Sequence, residues 1–277
     1  MTCLLALLFI IGACIGSFLG VCVDRIPKGK SVILGHSRCT CGAKIPPYLN
    51  VPILAWLLLR GRTKCCGTKI PFKFFLLELL SGILLPLVFL SQRNIAQTAV
   101  FFTLTACLLV ASFIDIDTLE LPDTLTVGLA IIGLTVSAVF PETHGTSNVF
   151  ISVRRSVLGL LCGTGILFWI GVLGEQIFKK EAIGLGDIKL IGAIGTLCGV
   201  RGCLCAIFGG STIGILIILP ILVRRFFVPR EGGNISVLPF APFLSLGTIL
   251  FILFGKSAFL GYLGCISDYA RLTFPWA

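Results

Sequence analysis

The chain has 277 residues, of which 56% are hydrophobic and only 12% are charged, and its mean hydropathy is +1.06. Soluble domains carry about a quarter charged residues, so this composition excludes an ordinary soluble protein and indicates an integral membrane protein. The formal net charge of +10 would also be compatible with a nucleic-acid-binding protein, and its distribution along the chain decides between the two.

Eight apolar runs are long enough to cross the hydrocarbon layer of a bilayer as helices. They predict an all-α, polytopic transmembrane bundle of about eight spans. Arg25 follows the first run instead of preceding it, so this run is expected to be a retained span and not a cleaved signal. The predicted spans are Cys3–Val23, Phe74–Leu90, Ala96–Ile114, Leu121–Phe140, Val157–Phe178, Asp187–Val200, Cys203–Val223 and Phe240–Leu263.

The positive charge is concentrated in the segment that follows the first span. Residues 24–73 contain ten Lys and Arg but one acid, Asp24, which gives this segment a net charge of +9. Basic loops stay in the cytoplasm and lie against anionic lipid, so the charge indicates membrane topology and not nucleic acid. Both termini are then expected on the periplasmic side, and Arg154 and Arg155 fall in a predicted outer loop, Pro141–Ser156. The chain therefore divides into a first span (1–23), a cytoplasmic basic loop (24–73) and a seven-span domain (74–277).

The basic loop also carries four of the 13 cysteines, in two similar stretches. SRCTCGAKIP contains Cys39 and Cys41, and TKCCGTKIP contains Cys65 and Cys66. Four thiolates could bind a structural Zn²⁺ that holds together a loop with little apolar core. The spacing is unusual, since zinc knuckles normally place two residues between their cysteines. A metal-free reduced loop, or a site in which His36 replaces one thiolate, remains open.

Two acids lie at the ends of predicted spans that share one side of the membrane. Asp115 closes the third span and Asp187 opens the sixth, in GLGDIKLIGAIG. Intramembrane acids are expensive and usually functional. Two carboxyl groups held close together share a proton, so that one can activate water while the other protonates a leaving amine. Gly184 and Gly186 would let a substrate backbone approach Asp187, although tight helix packing by Gly184, Gly186, Gly192 and Gly195 is the alternative.

IDIDTLELPDTLT and GLGDIKLIGAIG resemble the two signature stretches of the type IV prepilin leader peptidases, membrane aspartic proteases of the Gly-x-Gly-Asp class. GSFLGVCVDRIPKG, LNVPILAWLLLRGR and FLLELLSG are similar to other stretches of that family, and the resemblance covers most of residues 16–195 in order. It implies a protease of the bacterial inner membrane that removes the leaders of prepilins or pseudopilins of type IV pilus or type II secretion systems at the cytoplasmic face. Because leader and loop are both basic, docking is expected to use other contacts.

The resemblance assigns roles to individual residues. Asp115 and Asp187 match the catalytic pair, while Asp117 and Asp123 are expected to support it or to start a helix after Pro122. The family's loop is associated with N-methylation by S-adenosylmethionine, and Arg60, Arg62 and Glu78 match that region. This chain departs from the family in its shortened cysteine pairs and in Leu49-Asn50, where an acidic residue before the Asn is common.

Two other functional classes are compatible with buried acids in a membrane protein. A proton-coupled transporter would use Asp115 and Asp187 near the membrane midplane, whereas a peptidase would hold them near one face. A scaffold would use them only as helix caps. The ends of the spans favour the peptidase.

Overall fold

The computed structural model describes residues 1–32, 41–42, 51–180, 183–227 and 239–255, without the side chains of 221–227. Over these residues the fold is all-α, as predicted, and the one β feature is an isolated bridge between Arg62 and Lys69. His36, Cys39 and the part of the predicted last span beyond residue 255 lie outside the described residues. The helices are α1 Thr2–Arg25, α2 Leu54–Leu58, α3 Phe72–Gln92, α4 Ile95–Thr118, α5 Asp123–Val139, α6 Val149–Phe178, α7 Leu185–Phe227 and α8 Ala241–Gly255.

Within the described ranges, five helices are long and apolar enough to span a membrane, namely α1, α3, α4, α6 and α7 as far as Pro220. Helices α5 and α8 are apolar but shorter. Helix α7 covers the sixth and seventh predicted spans. The two spans are separated by a break at Gly199, whose φ of +65° and ψ of −172° are not helical. The multi-pass prediction is thus confirmed, and the number of eight spans stays a prediction.

Among the boundaries that differ from the sequence-based prediction, two affect the topology. The break in α7 occurs at Gly199 and not at Arg201–Gly202, because only glycine adopts this backbone conformation without strain. Helix α6 begins at Val149 and not at Val157, because the side chain of Asn148 accepts hydrogen bonds from the amides of Phe150 (2.9 Å) and Ile151 (3.4 Å). Arg154 and Arg155 therefore lie within α6 and not in a loop.

The helices form two groups, each closed by glycines. Helices α1 and α3 pack together next to α4, and α5, α6 and α7 form the second group. A Cβ on Gly12 of α1 would lie 2.5 Å from the carbonyl oxygen of Ser81, and one on Gly159 of α6 would lie 2.1 Å from that of Gly195. Such backbone contacts are typical of membrane helices, whose association depends on close packing.

Helix α8 packs between the two groups. The hydroxyl of Ser91, in α3, donates to the carbonyl oxygen of Ile252 (2.9 Å), and Ser245 donates to Leu108 of α4 (3.3 Å). A Cβ on Gly247 would lie 2.8 Å from the carbonyl oxygen of Ala206 in α7. These contacts bring the first residues of α8 to the end of the bundle where α4 ends and α7 begins.

Helix α4 is the central helix of the bundle. In its most apolar window 72% of the residues are buried, against 17% in α6. Its side chains Leu104, Leu108 and Ile114 are fully buried, as are Leu190, Ile191 and Ile194 in the first part of α7. The two helices that carry Asp115 and Asp187 are therefore anchored in the core.

Candidate active site

Asp115 lies in the last turn of α4, which ends at Thr118 because Leu119 adopts a left-handed conformation (φ 56°). Its side chain is buried, with 5% exposed. The Oδ2 atom accepts a hydrogen bond from the backbone amide of Ala241 at 3.0 Å, and the amide of Phe240 also donates to this carboxyl group. The carboxyl group is therefore held by backbone donors at the start of α8.

Asp187 is the third residue of α7. Its amide donates to the carbonyl oxygen of Gly184 (3.1 Å), which also accepts the amide of Ile188 (3.4 Å), so Gly184 begins the helix. The Oδ1 atom is buried and has no hydrogen-bond partner among the described residues. A buried carboxyl oxygen without a hydrogen-bond partner is costly in a folded protein, and such an unsatisfied acceptor is typical of a functional group.

The structure places the two predicted acids near each other, and their catalytic role stays a prediction. They are 72 positions apart in the chain, yet the carboxyl group of Asp187 is within electrostatic range of Asp115. Both lie at helix ends on the side of the bundle where α3 begins, since Lys73 in the first turn of α3 contacts Asp117 near the end of α4. Asp115 is buried and Asp187 is half-buried with a buried Oδ1 atom, and two such coupled carboxyl groups cannot both ionise easily, which favours a shared proton.

Asp117 and Asp123 belong to the same acidic stretch but form ion pairs at its periphery. Asp117 Oδ2 accepts from Lys73 Nζ at 2.6 Å, and Asp123 Oδ1 accepts from Lys189 Nζ at 2.6 Å. Both carboxylates are partly or largely exposed, at 38% and 67%. They join α4 to α3 and α5 to α7, and a role in supporting the paired acids stays a prediction.

The two glycines before Asp187 have different surroundings. Gly184 is exposed, and a Cβ there would lie 3.5 Å from Asp187 Oδ2, which is an ordinary contact. A Cβ on Gly186 would lie 2.8 Å from the Cβ of Leu121, which fills the space that this glycine leaves. Gly186 therefore packs against the segment before α5, and a role of either glycine in substrate approach stays a prediction.

No sequence motif after Gly195 predicted the hydrogen-bond donors at the start of α8. The signal is Pro239-Phe240-Ala241-Pro242, at the beginning of the last apolar run. The first amides of a helix have no partner within it, and prolines on both sides stop the chain from using these amides in other regular structure. The amides of Phe240 and Ala241 are consequently free to bind Asp115.

The described part of the basic loop brings three of the four predicted cysteine ligands together. The Sγ atoms of Cys41, Cys65 and Cys66 lie within 4.8 Å of one another. Cys41 and Cys65 are 3.4 Å apart, and the adjacent Cys65 and Cys66 are 3.8 Å apart. Cys66 also contacts the hydroxyls of Thr63 (3.2 Å) and Thr68 (2.9 Å). Adjacent cysteines thus present both sulfurs to the same point.

A second part of the loop packs on α3 through Glu78. Its Oε2 accepts the amide of Ile53 at 2.7 Å, and its carboxyl group also accepts from Ser17 of α1. One turn later, Trp56 packs edge-to-face against Phe72 and at a tilt against Phe75, with ring centroids 5.7 and 4.9 Å away. Arg60 and Arg62 follow and are exposed. Glu78 and the aromatic cluster therefore both hold this part of the loop against α3, and the methylation role that the resemblance assigns to Arg60, Arg62 and Glu78 stays a prediction.

Comparison with known proteins gives two family matches that together cover most of the chain. Residues 10–92 match the family described as the bacterial peptidase A24 N-terminal domain, and residues 102–219 match the type IV leader peptidase family. The first match contains the cysteine loop and Glu78, and the second contains Asp115 and Asp187. No solved structure matches the chain significantly.

Curated relatives extend the similarity over nearly the whole length. A protein of Neisseria gonorrhoeae named prepilin leader peptidase/N-methyltransferase is 31% identical over 82% of this chain and 86% of its own length. One of Burkholderia pseudomallei with the same name is 32% identical over 92% and 87% of the two chains. A Myxococcus xanthus relative of that name is 32% identical over 76% of this chain, which spans 62% of that protein.

Proposed function

Because the chain belongs to the type IV leader peptidase family, we propose that Asp115 and Asp187 are the acids with which it removes the leader peptides of prepilins. It is a multi-pass inner-membrane protein. The observation that supports the proposal is the proximity of the buried Asp115 of α4 and the half-buried Asp187 of α7 at one end of the bundle. By the positive charge of residues 24–73 we infer that this end faces the cytoplasm, where the leader of a substrate would lie.

The surroundings of the two acids suggest different roles. Asp115 accepts backbone amides, which favour its ionised form, so it would take a proton from the attacking water. Asp187 has an oxygen without a partner and would carry the proton of the pair. The water oxygen bonds to the scissile carbonyl carbon, the proton of Asp187 passes to the amide nitrogen, and the C–N bond then breaks.

Replacing each acid by its amide tests the pair. We expect Asp115→Asn and Asp187→Asn each to reduce leader removal from a co-expressed type IV prepilin by at least about 10³-fold, because each loses one proton-transfer role. Asp117→Asn and Asp123→Asn are matched controls from the same stretch, and they should keep activity within about tenfold, since exposed ion pairs contribute little. The measurement is the ratio of processed to unprocessed prepilin, with thermal unfolding to show that each variant is folded.

Processing by either folded Asn variant at the wild-type level would remove that residue from the mechanism. A loss in the Asp117 and Asp123 controls as large as in the paired acids would indicate that the whole acidic stretch, and not a pair, is required.

The transporter alternative has less support. Asp115 lies in the last turn of α4 and Asp187 in the first turn of α7, so neither occupies the middle of its helix. A scaffold in which the acids only cap helices does not account for the unpartnered Oδ1 of Asp187. The family match does not by itself exclude proton transport or helix capping by the two acids, but it supports peptide cleavage.

The names of the relatives pair the peptidase with an N-methyltransferase, and we extend this second activity to the present chain. S-adenosylmethionine, when bound, supplies the methyl group for the new N-terminus. Its cationic sulfonium is attracted to aromatic faces and carboxylates. Trp56, Phe72, Phe75 and Glu78 offer both and would hold it, while Glu78 fixes the loop by binding the amide of Ile53.

The cysteine cluster fits a zinc ion. Four thiolates around Zn²⁺ at about 2.3 Å would have sulfurs about 3.8 Å apart, close to the separations among Cys41, Cys65 and Cys66. Cys39 is the proposed fourth ligand. The ion would hold the two arms of the loop together and take no part in peptide cleavage.

Metal analysis of the purified protein checks this site. We expect about one zinc per chain, falling to well under half in Cys65→Ser, while Cys3→Ser, at the exposed start of α1, should leave it unchanged. Because the zinc content is measured directly, the result does not depend on enzyme activity. A folded wild-type protein without zinc would rule the site out.

A further inference from the structure

A cavity of about 380 Å³ lies at the end of the bundle opposite the two acids. It is bordered by Gln92 at the end of α3, by the turn around His144, by Arg155 of α6, by α7 at its break and by Phe251 of α8. The distance along α7 from Asp187 to Gly199 is about 18 Å, so the cavity is separate from the proposed active site.

The cavity has a cationic rim and an apolar wall. Arg155 and Arg201 are exposed at its edge, and none of the described residues that line it is acidic. The wall is formed by apolar side chains, namely Phe101, Leu158, Leu197, Phe251 and Ile252. A ligand that satisfies both parts has an anionic head and an apolar body.

Two polar residues that line the cavity, His144 and Arg155, are fixed by hydrogen bonds. The break at Gly199 frees the carbonyl oxygen of Thr196, which accepts from Ser156 Oγ (2.7 Å) and His144 Nε2 (3.0 Å). Arg155 donates to the carbonyl oxygen of His144. Burial lowers the pKa of His144 and the Arg155 guanidinium lowers it further, so the positive charge here comes from the arginines.

The position of the cavity indicates which anionic ligand would reach it. It lies where α3 ends and α4 begins, which is the boundary of two spans and thus the depth of lipid headgroups. Guanidinium groups bind phosphate with two parallel hydrogen bonds, and basic pockets between membrane helices bind anionic headgroups. We propose that this cavity binds the phosphate headgroup of an anionic phospholipid, with an acyl chain along its apolar wall.

Such a lipid would join the two helix groups. Phe101 belongs to α4, which carries Asp115, and Leu197 belongs to α7, which carries Asp187. The proposal itself concerns binding and does not depend on the peptidase assignment, since its test measures bound lipid.

The test is native mass spectrometry of the full chain in a neutral detergent, titrated with dioleoylphosphatidylglycerol or dioleoylphosphatidylcholine. We expect one retained phosphatidylglycerol, bound at least about tenfold more tightly than phosphatidylcholine. The Arg155→Gln/Arg201→Gln variant should lose about tenfold or more in affinity. Arg154→Gln is the matched control, because Arg154 is an exposed neighbour that does not line the cavity, and its affinity should remain within about twofold of wild type.

A second variant separates loss of binding from loss of folding. Leu158→Trp keeps both arginines but fills the apolar wall, so it should reduce phosphatidylglycerol binding while thermal stability without lipid is unchanged. Equal losses in Arg154→Gln and the double variant would mean diffuse surface charge and would overturn the proposal. Inorganic phosphate that displaces the lipid at millimolar concentration and binds equally well alone would assign the cavity to free phosphate and overturn the lipid.

Discussion

At the scale of single residues, the four acids of the site differ in the hydrogen-bond donors and cations that contact them. Asp115 and Asp187 both lie at helix ends, the first buried and the second half-buried, but only Asp115 accepts hydrogen bonds from the amides that begin α8. Asp117 and Asp123 are met by lysines instead. The sequence predicts which acids belong to the stretch, while their partners decide which of them pair with a cation and which with each other.

Gly186 is the residue whose substitution should most directly displace Asp187. In Gly186→Ala the new Cβ would lie 2.8 Å from Leu121, so the start of α7 must shift. We expect leader cleavage to fall by at least about tenfold, because small displacements of a catalytic group are costly. Leu121→Ala in the same chain should restore part of the rate, and the measurement is cleavage of a co-expressed prepilin.

Gly184→Ala is the matched variant for protein folding. Its Cβ meets only Asp187 Oδ2, at an ordinary 3.5 Å, so thermal stability should equal that of the wild type. Full cleavage by Gly186→Ala without a change at Leu121 would show that this contact does not position Asp187.

At the scale of helices, the boundaries depend on capping and helix-breaking residues that a hydropathy profile does not detect. Asn148 starts α6 well before the predicted Val157, because its side chain binds the first free amides of the helix. Gly199 breaks α7 although the apolar run continues through it. Helix ends are therefore set by side-chain caps and by the backbone conformation of single residues. The length of an apolar run gives only their approximate position.

The contact between α6 and α7 predicts a difference between two glycines of one helix. Gly159→Ala would place a Cβ 2.1 Å from the carbonyl oxygen of Gly195, and forcing a methyl group into such a contact typically costs about 1–3 kcal/mol. Gly165→Ala meets nothing within 4 Å and should be neutral or stabilising by up to about 1 kcal/mol. Thermal unfolding of both variants in the same detergent checks this, and equal midpoints would contradict the close contact.

At the scale of the whole molecule, the charge distribution predicts the orientation in the membrane, and helix packing determines which end of the bundle holds the two acids. The net charge of +9 in residues 24–73 predicts that this loop, the end of α4 and the start of α7 face the cytoplasm. Lys73 and Asp117 tie the loop side of α3 to the end of α4, so both features share one end of the bundle.

Epitope insertion tests this orientation. A tag inserted after Gly29, an exposed turn that follows α1, should resist protease added outside intact spheroplasts, because the basic loop is predicted to lie inside. A tag after Ser147, in the exposed turn before α6, should be removed by the same treatment. The readout is immunoblotting before and after permeabilisation, and the reversed pattern would place the two acids on the outer face.

The sequence by itself determined that the chain is an all-α membrane protein and where most of its apolar helices lie, and it predicts that Asp115 and Asp187 act as a pair. Those features follow from local composition, periodicity and short motifs. Only the tertiary structure decided that the amides of Phe240 and Ala241 bind Asp115, that Leu121 fills the space beside Gly186 and that adjacent cysteines face one point. Each of these depends on the close approach of segments distant along the chain, and in a membrane such contacts arise from helix packing, which apolar periodicity does not encode.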